Sequence, residues 1–260
     1  MKAIFASGTT PAVVTLMGAG PGDPDLLTVK ALRALQVADV VLYDHLVSEA
    51  VLDIAPASAQ RIYVGKETSK HTMPQAAIGA LMVDYARLGR RVLRIKGGDG
   101  YIFGRGGEEA EALAAAGVPF AVIPGITAAQ GAAASCGIPL THREHARALV
   151  LATGHLQNNQ QVDLDWDTLA RPQQTVVIYM GLGTLAIICE RLMAHGMPAS
   201  TPAALIENAT LPAQRCVCGT LAQLPALSAE AGLKPPTLII IGEVVALQPA
   251  LAAGQWVSAG

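Results

Sequence analysis

This chain has little charge, few aromatic rings and few cysteines. Of its 260 residues 15% are charged and 4% aromatic, and the formal net charge is −2. So thin and balanced a charge excludes a polyanion-coating protein and a disordered acidic chain. With no basic surface studded by aromatic rings, nothing is available to stack nucleic-acid bases. The four cysteines, Cys136, Cys189, Cys216 and Cys218, lack zinc-ribbon spacing and fit a reduced, cytoplasmic setting. Cys216 and Cys218 stand two apart on a predicted strand and share a face, which suits either a metal pair or core. With no histidine close in sequence they read as core, and no metal is expected. No run of about eighteen apolar residues occurs, and the Ala-Ile-Phe-Ala stretch after Lys2 is too short for a signal-peptide core. A soluble protein is expected.

What the chain does have is apolar mass: 52% hydrophobic residues, with 26 glycines and 16 prolines as punctuation. That suffices for one large core or two moderate ones, and two are expected. Strand-like runs alternate with helix patterns over Val13–Met17, Leu26–Ala38, Val40–Tyr43, Arg61–Val64, Pro74–Leu88, Val92–Ile95 and Val118–Ile123, which predicts an α/β domain with a largely parallel sheet over 12–137. Pro139 and a cluster of His and Arg residues break the pattern, so 138–146 reads as a linker. A second α/β domain, 147–250, has strands at Ala148–Ala152, Thr175–Met180, Ala203–Glu207, Arg215–Thr220 and Thr237–Ile241, a helix at Leu185–His195, and a mixed sheet. The tails before Ala12 and after Leu247 read as loosely held. Arg61, Lys66, Lys70, Arg87, Arg90, Arg91, Arg94, Lys96 and Arg105 crowd one region against Glu67, Asp84 and Asp99. This reads either as a hold for an acidic small substrate or as a solvated basic surface.

The densest signal is Arg94-Ile95-Lys96-Gly97-Gly98-Asp99-Gly100-Tyr101-Ile102-Phe103-Gly104-Arg105-Gly106-Gly107-Glu108-Glu109. It follows a strand and leads into the alanine-rich helix pattern Ala110–Ala116, and its glycines let backbone groups approach a ligand closely. Gly18-Ala19-Gly20-Pro21-Gly22-Asp23-Pro24 satisfies a glycine-rich nucleotide pattern after a strand, with Asp44 closing the next strand as a ribose ligand would. Pro21 and Pro24 oppose that reading, because they remove N–H donors from the turn that would hold phosphate. Pro124-Gly125-Ile126-Thr127-Ala128-Ala129 reads as a tight turn with Thr127 capping a helix, with or without a ligand role. Arg105 and Glu108, three apart at a helix start, form either a local pair or an anchor for carboxylates. His142 and His145 read as linker residues, since no third ligand has metal-site spacing.

These motifs, in this order from about Val14 to Val245, resemble the tetrapyrrole methylase family, and within it the uroporphyrinogen III C-methyltransferases. The resemblance implies two α/β domains with cofactor and substrate in the cleft between them. It implies transfer of two methyl groups from S-adenosyl-L-methionine to uroporphyrinogen III, giving precorrin-2 through precorrin-1 for sirohaem, cobalamin or haem d1 synthesis. A later precorrin as substrate is the alternative, and a non-catalytic nucleotide-binding module a third. Nothing in the chain resembles the dehydrogenase and ferrochelatase module of a multifunctional sirohaem synthase. By resemblance Pro21, Gly97, Gly98, Asp99, Ile102, Thr127, Ala128, Met180 and Ala209 bind the cofactor; Met180 also touches substrate, with ordinary core as its other reading. Arg105, Glu108 and Arg143, the last in Thr141-His142-Arg143, hold the eight-carboxylate substrate, Asp44 accepts a proton and Lys66 donates one. Helix capping by Asp44 and a solvated Lys66 are the structural alternatives. A homodimer is implied. Two departures stand out: Gly100 where the family has proline, and Ala209 in Glu207-Asn208-Ala209-Thr210 where it has glycine.

Overall fold

The computed structural model describes residues 13–65, 73–155 and 162–254. Its contacts divide the chain into two compact units, 1–128 and 129–260.

The first unit is a five-stranded parallel sheet in the order β3-β2-β4-β1-β5. Its elements are β1 (Val14–Gly18), α1 (Val29–Leu35), β2 (Val40–Tyr43), α2 (Glu49–Leu52), β3 (Gln60–Tyr63), α3 (Gln75–Arg87), β4 (Val92–Lys96), α4 (Gly106–Ala115) and β5 (Phe120–Ile123). Strand side chains alternate between two faces, and both are apolar, as a sheet wound with helices on each side requires. Val14, Leu16, Val40, Leu42 and Val92 pack with Ile78 and Met82 of α3 and Leu113 of α4. Met17, Val41, Leu93 and Ile95 pack with Ala31 and Leu35 of α1 and Val51 and Leu52 of α2. Thr28 starts α1 by accepting the Ala31 N–H at 3.1 Å.

The second unit holds α5 (Ala128–Cys136), β6 (Ala148–Thr153), α6 (Trp166–Leu169), β7 (Gln174–Tyr179), α7 (Leu185–Ala194), β8 (Pro202–Glu207), β9 (Arg215–Thr220), α8 (Leu224–Ala231), β10 (Thr237–Ile241) and α9 (Gln248–Gly254). Its sheet runs β6-β7-β10-β8-β9 and is mixed: β6 pairs parallel to β7, and the other pairings are antiparallel. One face packs on α7 through Ile188 and Leu192; the other receives Ala129, Ala132 and Ala133 of α5. The sequence reading puts α5 in the first domain. Its small side chains lie instead against Val177, Ala204 and Ile206 of the second sheet, and the compact units part at its first turn. Residues 248–254, read as a loose tail, form a helix.

Candidate active site

Each strand of the first sheet ends in one of the motifs. β1 runs into the Pro21 loop, β2 into Asp44, β4 into Gly97-Gly98-Asp99 and β5 into the Pro124–Thr127 turn. β3 ends three residues before Lys66, which lies outside the described residues, so its two readings stand as they were. In open α/β sheets ligands bind beyond these carboxyl ends.

The glycines here serve backbone packing first. Gly20 and Gly98 form an antiparallel bridge, Gly20 N–H to Gly98 O at 3.1 Å and Gly98 N–H to Gly20 O at 2.7 Å. A Cβ on Gly18 would stand 2.6 Å from both Gly125 N and Gly98 O, so three loops meet where no side chain fits. Gly98 needs glycine on a second ground, a φ of 64°. Asp99 ties the same loops: Oδ1 accepts the Tyr101 N–H at 2.8 Å and Oδ2 the Gly125 N–H at 3.0 Å. Gly100 is outside the left-handed region, so its backbone does not demand glycine.

Asp44 does not cap a helix; Ser48 holds that position for α2. Its Oδ1 closes a turn with the Leu46 N–H at 3.1 Å, and its Oδ2 faces Arg94 at 3.3 Å. Arg94 is the hub of a buried network that sequence reasoning missed. Its Nε and the Lys96 Nζ each donate to Glu109 Oε1 at 3.0 Å, as does Gln75 Nε2. Arg94 also donates to the Ile95 carbonyl at 2.7 Å. Arg94, Lys96 and Glu109 are all nearly inaccessible, and Glu109 Oε2 has no hydrogen-bond partner among the described residues. Burial, and next the Arg94 charge, pulls the Lys96 ammonium below its ordinary range despite Glu109.

This network takes Arg94 and Lys96 out of the crowded-basic group, while Arg87, Arg90 and Arg91 are exposed as the solvated-surface reading has it. Arg61 pairs with Asp53 at 3.1 Å, Arg91 with Asp39 at 2.6 Å, and Arg105 with Glu108 at 2.7 Å, while Arg94 and Lys96 are buried against Glu109. The signal was available in the parity of Arg94 and Lys96, which fall on the same sheet face as Val92.

Arg105 forks onto Glu108 at 2.8 and 2.7 Å. That hydrogen-bonded pair raises the guanidinium pKa and lowers the carboxylate's. Both side chains are more than half exposed, so the pair contributes little stability and leaves Arg105 accessible.

In the second unit Met180 follows β7 and is 53% exposed, which removes the reading of it as ordinary core. Tyr179 beside it accepts the Ala129 N–H of α5 at 3.0 Å through its hydroxyl. Ala209 follows β8, partly buried against the α5 face of the sheet. Its φ is not left-handed, whereas Asn208 and Thr210 on either side are, so alanine costs the backbone nothing there. Since β6, β7 and β8 all run the same way, Met180 and Ala209 lie at the same end of this sheet's strands. Arg143 is exposed at the tip of a tight loop closed by two His142–Ala146 backbone bonds of 2.9 Å.

Six non-glycine residues among those described have left-handed φ: Phe103, Arg105, Gln173, Met180, Asn208 and Thr210. All but Gln173 lie in or beside the proposed ligand-binding segments. Strained backbone of this kind costs about 1–3 kcal/mol per residue and collects where ligands are held.

The loop beyond Arg143 corrects another reading. Glu144 supplies the third group missing from the histidine pair, and the ligand atoms of His142, Glu144 and His145 lie within 4.8 Å of one another. His142 Nδ1, however, accepts the Glu144 N–H at 3.2 Å. A neutral ring in that state carries its proton on Nε2 and has no lone pair left for a metal.

Residues 13–225 match the family model for Tetrapyrrole (Corrin/Porphyrin) Methylases. The chain belongs to the tetrapyrrole methylase family. It is 57% identical over 239 residues to the siroheme synthase of Nitrosospira multiformis, covering 92% of this chain and 50% of that protein. The siroheme synthase of Methylococcus capsulatus is 58% identical over 239 residues, with the same two shares. This methylase chain therefore spans about half the length of the curated relatives it matches. Among solved structures, uroporphyrin-III C-methyltransferase from Thermus thermophilus complexed with S-adenosylhomocysteine is 40% identical at a TM-score of 0.77, covering 90% of this chain and 93% of that one. A cobalt precorrin-4 methyltransferase from cobalamin biosynthesis is 27% identical at 0.80, covering 89% and 95%. No helix among the described residues is long and apolar enough to cross a membrane.

Proposed function

We propose that this methylase transfers two methyl groups in turn from S-adenosyl-L-methionine to uroporphyrinogen III, giving precorrin-2 by way of precorrin-1. The observation that carries the reading is the placement of the motif residues at the carboxyl ends of the first sheet's strands, with Met180 and Ala209 just past the carboxyl ends of two strands of the second. The similarity to uroporphyrin-III C-methyltransferase at 40% identity supports the substrate, and the S-adenosylhomocysteine complex of that relative supports the cofactor.

The residues present fit that cofactor chemically. Asp99 is a carboxylate with two oxygens that each hold one N–H, leaving further acceptor capacity for an ammonium or sulfonium cation. Pro21, Gly97, Gly98, Ile102, Thr127 and Ala128 line the same strand ends, and by the family resemblance Met180 and Ala209 are proposed as further cofactor residues. When bound, the cofactor supplies an electrophilic methyl group, which an electron-rich pyrrole carbon attacks. Arg105 and Arg143 are the accessible motif guanidiniums that grip the substrate's carboxylates, with Glu108 orienting Arg105. Asp44, fixed by Arg94 and by the Leu46 N–H, accepts the proton that the alkylated macrocycle sheds, and Lys66 is the proposed donor. Most of the acceleration comes from holding the two reactants in register. A homodimer is the proposed assembly.

A later precorrin as substrate is set against this by identity, 27% to the precorrin-4 enzyme against 40% to the uroporphyrin-III enzyme. Anaerobic steady-state assays offering uroporphyrinogen III and an already multiply methylated precorrin side by side test the choice. A higher kcat/KM for uroporphyrinogen III is expected; preference for the methylated macrocycle would reassign the substrate.

A further inference from the structure

Some apolar side chains stand in solvent rather than in the core. Cys216 and Cys218 do so on β9, the edge strand of the second sheet, which corrects the sequence reading of them as core. Leu46, Tyr101 and Phe103 do so at the candidate site. Leu46 follows β2 and the two aromatic residues follow β4, its neighbour in the first sheet, so all three lie beyond the carboxyl ends of adjacent strands. Leu46 lies over Gly97, where an added Cβ would stand 2.7 Å from the leucine Cβ.

Tyr101 is the most exposed of the three, at 54%, and the loop that carries it is closed and tightly packed. Its N–H donates to Asp99 Oδ1 at 2.8 Å, the Ile102 N–H to the Asp99 carbonyl at 3.2 Å, and the Gly106 N–H to the Gly100 carbonyl at 2.9 Å. A Cβ on Gly104 or Gly106 would stand 2.8 or 2.5 Å from the Gly100 oxygen, and one on Gly106 also 3.1 Å from Tyr101 Cδ1. The phenol ring therefore rests on the backbone where α4 begins, next to Arg105, with its remaining surface open to solvent. Phe103 and Arg105 hold left-handed φ values of 52° and 58°, so the loop keeps this shape against backbone strain. A lone exposed tyrosine is ordinary. One held on a strained, closed loop between a carboxylate proposed for the cofactor and a guanidinium proposed for the substrate is placed to meet a ligand.

We propose that Tyr101 is a further substrate-binding residue, whose ring packs against the tetrapyrrole and whose hydroxyl donates to one of its side-chain carboxylates. The inference rests on the proposed action on uroporphyrinogen III. That molecule is an apolar macrocycle with a rim of carboxylates, and Arg105 and Arg143 address the rim alone. A ring with a polar tip suits the boundary between the two. Ligand sites in general combine apolar and aromatic contact area with a few placed polar groups. Because the loop is fixed before the ligand arrives, little ordering is required on binding.

Anaerobic steady-state kinetics of the full chain with uroporphyrinogen III, joined to calorimetric titration of S-adenosyl-L-methionine, test the assignment. Tyr101→Ala should raise KM for uroporphyrinogen III by at least about tenfold, with kcat and cofactor affinity nearly unchanged, as loss of uniform binding requires. Tyr101→Phe keeps the ring and loses the hydroxyl, so KM should rise by only about two- to fivefold. Phe120→Ala, which removes an exposed ring at the amino end of β5, should leave KM unchanged. Circular dichroism confirms that each variant is folded. An unchanged KM in folded Tyr101→Ala would overturn the proposal while the methyl transfer itself stands, as would a loss confined to kcat or to cofactor affinity. Failure of the wild-type chain to methylate uroporphyrinogen III would remove the underlying reading and this proposal with it.

Discussion

Gly125 and Gly107 both belong to the glycine-rich segments, yet the same substitution should affect them in opposite ways. A Cβ on Gly125 would overlap the Gly98 carbonyl and press the Gly18 backbone at 2.8 Å, whereas one on Gly107, in the first turn of α4, meets nothing within 4 Å. Gly125→Ala should destabilise by about 1–3 kcal/mol or more, as overpacking does. Gly107→Ala should stabilise by up to about 1 kcal/mol through helix propensity. Urea unfolding of the two variants gives the signs directly. Asp44 invites a different measurement. Asp44→Asn keeps the size and the turn but accepts no proton, so turnover should fall by about 10²–10⁴ while calorimetry still detects S-adenosylmethionine binding. Lost cofactor affinity with normal turnover of bound substrate would make Asp44 a cofactor ligand instead. Neither the loop contacts of Gly125 nor the Arg94 partner of Asp44 was legible in the sequence. A glycine looks the same whether backbone or ligand comes close, and ion-pair partners 50 residues apart meet only in the folded sheet.

At the scale of elements, β4 is where electrostatics and packing meet. Its start is locked to β2: Asp39 accepts from the Arg91 N–H at 2.8 Å and from its guanidinium at 3.0 and 2.6 Å. The Arg91 hydrogen bonds hold the Asp39 carboxyl down at about 2, against an ordinary 3.8. A carboxyl depressed in the folded state contributes stability that is fully present above its unfolded pKa and lost as pH falls through its folded one. Asp39→Asn should therefore flatten the acid dependence of stability between pH 3.8 and about 2, which urea titrations across that window can read. At the other end of β4, Glu109→Gln would leave Arg94 and Lys96 buried without their shared counter-charge. A loss of about 3–5 kcal/mol is expected, and adding Lys96→Met should recover part of it; full stability of Glu109→Gln alone would mean that solvent reaches the network.

The strand order along the chain was legible at this scale, because the apolar runs coincide with all ten strands of the described residues to within two residues at each end. What escaped was short or aperiodic. α2 and α6 are single turns, and α8 carries Pro225 in its first turn and buries only Leu224. The attachment of α5 was hidden because alanine and glycine side chains pack equally well on either sheet, and no hydrophobic stripe says which.

Across the whole molecule, the motifs read from sequence fall at strand ends in both units, and family membership follows from a match over residues 13–225. The order of motifs made that legible. Individual roles were less so, since Arg105, Met180 and Thr210 acquire left-handed backbone that nothing in their residue types announces. The chain covers about half the length of its siroheme synthase relatives, so the account asks that the two methyl transfers be complete within this chain. Anaerobic incubation of the purified protein with uroporphyrinogen III and methyl-labelled S-adenosylmethionine, followed by mass spectrometry of the macrocycle, tests this directly. Two labelled methyl groups per macrocycle, appearing through a singly methylated intermediate, are predicted; an unlabelled macrocycle, or a final count other than two, would contradict the account.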